Sequence, residues 1–165
     1  MARRALAGLK AHERLSIGHY MLRRWSLEED VRHLERLGFR SISLASTKLG
    51  VYGVERAIRL LRASALEVAH VGSYGWFGTE GRAIRQGVEQ VRRAIEWVHR
   101  LDGDALFVIS GGRDGASWEA AARAYRDAYA RLLPEATAAG TRLAIEVIHP
   151  LRAALHRTVM GHARP

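Results

Sequence analysis

Five short apolar runs alternate with four amphipathic helical patterns, and that alternation restricts the fold more than any other feature. The runs are residues 15–20 (LSIGHY), 40–45 (RSISLA), 66–71 (LEVAHV), 104–110 (DALFVIS) and 141–150 (TRLAIEVIHP). Ser26 followed by Glu29 is a capping-box signature for a first helix, whose stripe is Leu27, Val31, Leu34 and Leu37. Gly38 stops it. Residues 51–63 carry Val54, Ile58, Leu60 and Leu61 as a second helix, after a turn at LASTKLG. A glycine-rich aromatic loop spans 72–81. The third helix repeats Ile84, Val88, Val91, Ile95 and Val98 at steps of three and four. After the loop at 111–115, Ser117 caps a fourth helix that runs through Pro134 to Gly140.

The order βαβαβαβαβ predicts a parallel sheet with helical crossovers, which are right-handed. Two architectures satisfy it: an open doubly wound sheet, or consecutive staves of a β/α barrel. The first strand leads into GHYMLRRWSLEED, so the glycine fingerprint of the dinucleotide-binding open sheet is missing. Inward positions of three strands are small or polar: Ser16 and Gly18; Ser41, Ser43 and Ala45; Ala144 and Glu146. A polar-mouthed lumen suits those residues better than a sheet buried on both faces. The expected fold is α/β, a partial TIM barrel of about five βα units with parallel strands and outer helices.

The last run carries the leading functional candidate. Alternation puts Leu143, Ile145 and Val147 on one face, with Ala144 and Glu146 on the other. Glu146 then points inward at the carboxyl end of the strand, where such folds bind ligands. A carboxylate there either carries chemistry or is a structural charge paired with one of the chain's many arginines.

Other candidates cluster at or just beyond strand ends: His19, Lys48, His70, Ser73, Tyr74, Trp76 and His149. Lys48 can meet a negatively charged oxygen or be an ordinary loop lysine. His70 can face a ligand or be a satisfied structural histidine, and Trp76 can form a hydrophobic wall or cap the rim. His149 lines the same mouth or lies on the surface ahead of Pro150. Gly111 and Gly112 let backbone amides approach an anion, or make a tight turn.

Composition narrows the classes. At 165 residues and 48% hydrophobic content the chain suits one domain with a core. No apolar run approaches the roughly 20 residues that span a bilayer. There is no cysteine, hence no disulfide and no thiolate ligand, which fits a cytoplasmic location. The net charge of +9 invites nucleic acid. The arginines, however, are scattered at helical spacings rather than clustered, so solvated helix faces are expected and a nucleic-acid partner is not.

The series LSIGHYMLRRWSLEEDVRHLERLGF, SISLASTKLGVYGVERAIRLLRASALEV, ISGG and AAGTRLAIEVIHP resembles the sugar phosphate isomerase/epimerase family. These are xylose-isomerase-like TIM barrels, in a superfamily shared with endonuclease IV-type DNA repair enzymes. The resemblance divides the chain into a basic extension (1–13), a partial barrel (14–158) and a divergent tail (159–165). It implies proton transfer between adjacent carbons of an α-hydroxy carbonyl sugar, with one divalent metal, Mn²⁺, Mg²⁺ or Co²⁺.

The family's metal ligands are a Glu ending the fifth strand, then an Asp, a His and a second Glu on later strands. Glu146 falls on the first of these, as metal ligand and acid/base. His149 matches a position lining the same mouth and becomes a substrate contact by the same likeness; Lys48, His70 and Trp76 are substrate-contact candidates from their places at strand ends. A full barrel needs about 250 residues, and the strands that would bring the other ligands are missing from this sequence. The expectation is therefore an N-terminal part or truncation product that does not hold the metal tightly and is inactive alone. A homo-oligomer or a complementing chain would cover its sheet edges. The alternatives are an abasic-DNA nuclease relative and a non-catalytic interaction module.

Overall fold

The computed structural model describes residues 15–18, 22, 24–73, 81–109 and 116–146. Among these residues five strands form one sheet: β1 (Ser16–Gly18), β2 (Ser41–Ala45), β3 (Glu67–Ser73), β4 (Ala105–Val108) and β5 (Arg142–Ile145). Five helices connect them: α1 (Leu27–Arg36), α2 (Ser46–Tyr52), α3 (Val54–Ala63), α4 (Gly81–Arg100) and α5 (Trp118–Ala138). Every adjacent pair is parallel, and the spatial order is the chain order, β1-β2-β3-β4-β5. An open doubly wound sheet reverses direction at a switch point; this one never does. It is a run of barrel staves, as expected.

Local chemistry sets the helix ends. The Ser26 hydroxyl accepts from the Glu29 N–H at 3.2 Å, and the Glu29 carboxylate accepts from the Ser26 N–H at 2.7 Å. Ser117 caps α5 in the same manner, accepting from Ala120 N–H at 3.2 Å. Gly38 and Gly140 leave their helices at φ 77° and 68°, where glycine has no steric penalty. Pro134 lies inside α5 without ending it.

Two helical expectations need correction. Leu37 was placed on the buried stripe of the first helix; it is instead the C-cap and 59% exposed, because α1 ends at Arg36. The turn expected at LASTKLG is helical. α2 starts directly after β2, and Gly53, at φ 92°, separates it from α3. The single helix expected over 51–63 is therefore two helices joined at a glycine that can hold a positive φ.

The helices cover one face of the sheet. Ile42, Leu44, Val71, Leu106 and Val108 are buried there against Leu34, Leu49, Ile58, Val91, Val98 and Leu132. The core weakens at β5. Leu143 packs on it, but Ile145, expected under a helix, is 40% exposed because no described helix follows that strand. The terminal segments 1–13 and 159–165 lie outside the described residues. No described helix is long and apolar enough to cross a membrane.

Candidate functional site

The face of the sheet away from the helices carries a polar row. Alternation along β2 buries Ile42 and Leu44 under the helices and turns Ser43 the other way. From there a chain of contacts crosses three strands. Ser16 Oγ lies 2.7 Å from Ser43 Oγ, and Ser43 Oγ lies 3.1 Å from His70 Nδ1. Beyond it the His70 ring meets Phe107 of β4 edge-on, with centroids 4.6 Å apart.

His70 reaches this row through an irregularity. The β2–β3 register pairs Ile42 with Val68 and then Ser43 with His70, so Ala69 is an extra residue. Strict alternation would put His70 on the face of Val68, under the helices. The bulge at Ala69 shifts the phase, so that Val71 is buried in the core and His70 faces Ser43. Bulges of this kind re-aim a side chain. The signal was in the sequence: apolar residues at 66 and 68 are followed by one at 71, a step of three rather than two. Partial burial holds the His70 imidazole below its ordinary pKa, so it is neutral at pH 7.

Glu146 follows β5 directly. Its N–H donates to the Val108 carbonyl at 3.1 Å, extending the ladder by one residue, and its side chain is exposed. Two positions earlier, Ala144 pairs with Phe107. Counting on by two puts Glu146 on the same face as Phe107, above the polar row and at the carboxyl end of the sheet.

Lys48 is not on a loop. It lies in the first turn of α2, and its ammonium pairs with the carboxylate of Asp30 from α1. The Lys48 side chain is 10% exposed and that of Asp30 is fully buried. Burial pushes the Asp30 carboxyl above its ordinary pKa, against the pull of the Lys48 ammonium. Sequence reasoning missed Asp30, which looks like one more acidic residue in the first turn of α1. Trp76, His149, His19, Tyr74, Gly111 and Gly112 lie outside the described residues, as does the side chain of Ser73.

Among the described residues no group of three or more His, Asp or Glu side chains could hold a metal ion. Glu146 supplies one carboxylate, and a lone carboxylate at an open rim does not complete a site for a hard divalent cation.

The arrangement is that of barrel staves with their ligand-facing ends on one side, and comparison decides which barrel. A family model described as xylose isomerase-like TIM barrel matches residues 31–160. The chain belongs to the xylose isomerase-like TIM barrel family. No curated protein matches it. Among solved structures, protein SMc04130 from Sinorhizobium meliloti 1021 is 30% identical with a TM-score of 0.77, covering 83% of this chain and 51% of that one. The IOLI protein, solved with a bound zinc atom, is 15% identical with a TM-score of 0.71, covering 88% and 53%. D-psicose 3-epimerase from Clostridium cellulolyticum H10, solved with D-tagatose, is 12% identical with a TM-score of 0.67, covering 81% and 52%. At such identities the last two establish a shared fold.

The chain spans about half the length of these solved relatives. Xylose isomerase-like barrels have eight strands, so the five described here make the greater part of one lumen wall. The Ser16–Ser43–His70 row lies on the sheet face away from the helices, and Glu146 follows β5 at the carboxyl end.

Proposed function

We propose that this chain supplies the first five βα staves of a metal-dependent sugar isomerase or epimerase. The enzyme moves a proton between adjacent carbons of an α-hydroxy carbonyl sugar, phosphorylated or not. Glu146 provides one carboxylate at the barrel mouth, as ligand to a divalent cation and as acid/base. His70 contacts the sugar, and Trp76 and His149 add further substrate contacts. A divalent cation, Mn²⁺, Mg²⁺ or Co²⁺, would polarise the carbonyl oxygen when bound; the remaining ligands come from staves outside this chain. Lys48 reaches an anionic sugar oxygen only by leaving Asp30, which makes it the weakest member of the set.

One observation carries the reading: parallel strands in chain order bring Glu146 to the carboxyl end, over an inner wall lined by Ser43 and His70. The zinc atom of the IOLI structure and the D-tagatose of the epimerase structure support a metal and a sugar on this fold. β1 and β5 are the edges of the described sheet. A groove of about 480 Å³ beside β5 is bounded by Leu133, Ala136, Thr137 and Leu143. Three further staves, from another chain or a longer polypeptide, cover those edges. The isolated chain is then inactive and takes no nucleic acid. Its arginines support that last point, since Arg56, Arg92 and Arg100 pair with glutamates on the helices.

The test is an aldose–ketose and epimer conversion assay with Mn²⁺, using D-fructose and D-tagatose. The chain is assayed alone and fused to the part of the Sinorhizobium relative that it leaves uncovered. Turnover by the fusion, lost in Glu146→Gln, is expected. A fusion whose activity ignores that substitution refutes the role of Glu146, and salt-sensitive incision at abasic DNA would favour a nuclease.

A further inference from the structure

The line Ser16–Ser43–His70 carries three donor protons but only two internal contacts. Each hydroxyl brings one proton and a neutral imidazole brings one. The contacts are Ser16 Oγ to Ser43 Oγ at 2.7 Å and Ser43 Oγ to His70 Nδ1 at 3.1 Å. In either direction one donor is therefore left facing out of the line. With Nδ1 protonated, the ring donates to Ser43 and Ser43 donates to Ser16; the Ser16 hydroxyl proton is left over, and Nε2 offers a lone pair. With Nε2 protonated, Ser16 donates to Ser43 and Ser43 donates to Nδ1; Nε2–H is left over, and Ser16 offers a lone pair. Neither direction is better satisfied. Only the middle is shut away from water: Ser43 is 2% exposed, whereas Ser16 and His70, at the two ends, are half-buried. Among the described residues neither Ser16 Oγ nor His70 Nε2 meets a further hydrogen-bond partner.

We propose that Ser16, Ser43 and His70 form a reversible hydrogen-bond relay, in which whichever end meets an acceptor oxygen fixes the tautomer of the His70 ring. An acceptor at Ser16 sets Nδ1–H, and Nε2 then accepts from a ligand hydroxyl. A carbonyl oxygen at Nε2 sets Nε2–H and accepts its hydrogen bond. Passing from the first state to the second, Nδ1 hands its proton to Ser43, Ser43 to Ser16 and Ser16 to water. Water returns one proton to Nε2, so the charge is unchanged. Ser16 and Ser43 are positioning residues, since they act on a ligand through the ring. Such a relay suits a ligand whose carbonyl and hydroxyl exchange places on adjacent carbons, because the ring meets both forms with no movement of heavy atoms. The lowered pKa of His70 agrees, because the count requires a neutral ring. The ligand class rests on the sugar reading above; the coupling of Ser16 to the ring does not.

The test is two-bond ¹H–¹⁵N correlation of the ring nitrogens in the ¹⁵N-labelled full chain at about pH 8, above the ordinary histidine range. His70 signals are assigned by their loss in His70→Asn. No ligand is added, and water is the acceptor at both ends. The parent should populate both tautomers, neither in more than about tenfold excess, the ratio that one net hydrogen bond would give. Ser16→Val puts a methyl in place of the hydroxyl, so with Nδ1 protonated the buried Ser43 proton has no acceptor. The Nε2–H form should then gain about tenfold over the parent, as a stranded buried donor gives. In a Ser43→Ala background the same substitution should leave the ratio unchanged, because the line is cut. Should Ser16→Val not fold, Ser16→Ala replaces it, with a gain of the same sign; should Ser43→Ala not fold, the Ser16 shift alone decides. A parent locked in one tautomer, a ratio unmoved in the folded Ser16 variant, or an equal shift in the Ser43→Ala background overturns the relay. No sugar is present, so failure here is a separate result from failure of the sugar assay.

Discussion

Ser43 and His70 sit opposite each other on β2 and β3, Oγ to Nδ1 at 3.1 Å, because Ala69 is an extra residue in the strand between Val68 and His70. Take away the bulge and the imidazole belongs under the helices, among leucines and valines. A single unpaired residue thus decides whether this histidine is packing or wall.

That placement has a pH signature. Burial lowers the His70 pKa in the folded chain, so the unfolded chain binds the proton more readily. Stability from this group is fully present above the ordinary histidine pKa of about 6.5. It is lost as pH falls through that value toward the lowered one. Urea midpoints of the parent chain should drop between pH 7.5 and 5.5 more than those of His70→Asn. Equal drops would show that His70 is not shielded.

The Asp30–Lys48 pair predicts a large, specific loss. Lys48→Met removes the cation paired with a buried carboxylate and should cost about 3 kcal/mol, the lower end for breaking a buried pair. Asp30→Asn together with Lys48→Met leaves no buried charge and should regain much of it. Denaturant unfolding of the two variants and the parent measures this; a double variant no more stable than the single one contradicts it.

Gly53 joins α2 to α3 at φ 92°, and a Cβ built there meets nothing within 4 Å. Any cost of Gly53→Ala is therefore backbone strain alone, about 1–3 kcal/mol. A variant as stable as the parent would mean that the junction relaxes to a negative φ.

Glu146 is exposed, and among the described residues only its backbone is held, by Val108. Glu146→Gln should change the unfolding free energy of the chain by less than about 0.5 kcal/mol. Paired with lost turnover in the completed barrel, that result separates a functional carboxylate from a structural one. A large destabilisation would point to a structural role.

Much of this was legible because it is local. The Ser26–Glu29 box, the Ser117 cap and the exits at Gly38 and Gly140 are set by residues within four positions of each other. Strand-then-helix periodicity carried the barrel. What escaped depends on distant partners. α2 reads as a turn until Leu49 is seen buried in the core. The Asp30–Lys48 pair joins residues 18 apart. The bulge at Ala69 exists only relative to β2, though the broken spacing of Leu66, Val68 and Val71 hinted at it. Ile145 reads as buried because alternation reports a face, not whether anything covers it.

The sheet is laid down in chain order, each strand bonded only to the one made just before it and the one made just after. During synthesis β2 can dock on β1, and β3 on β2, while the later residues are still inside the ribosome. Among the five described strands each loop closure stays one crossover long, so pairing them needs no closure across the whole chain. Growth of this wall is directional, and its newest strand is always the one that awaits a neighbour.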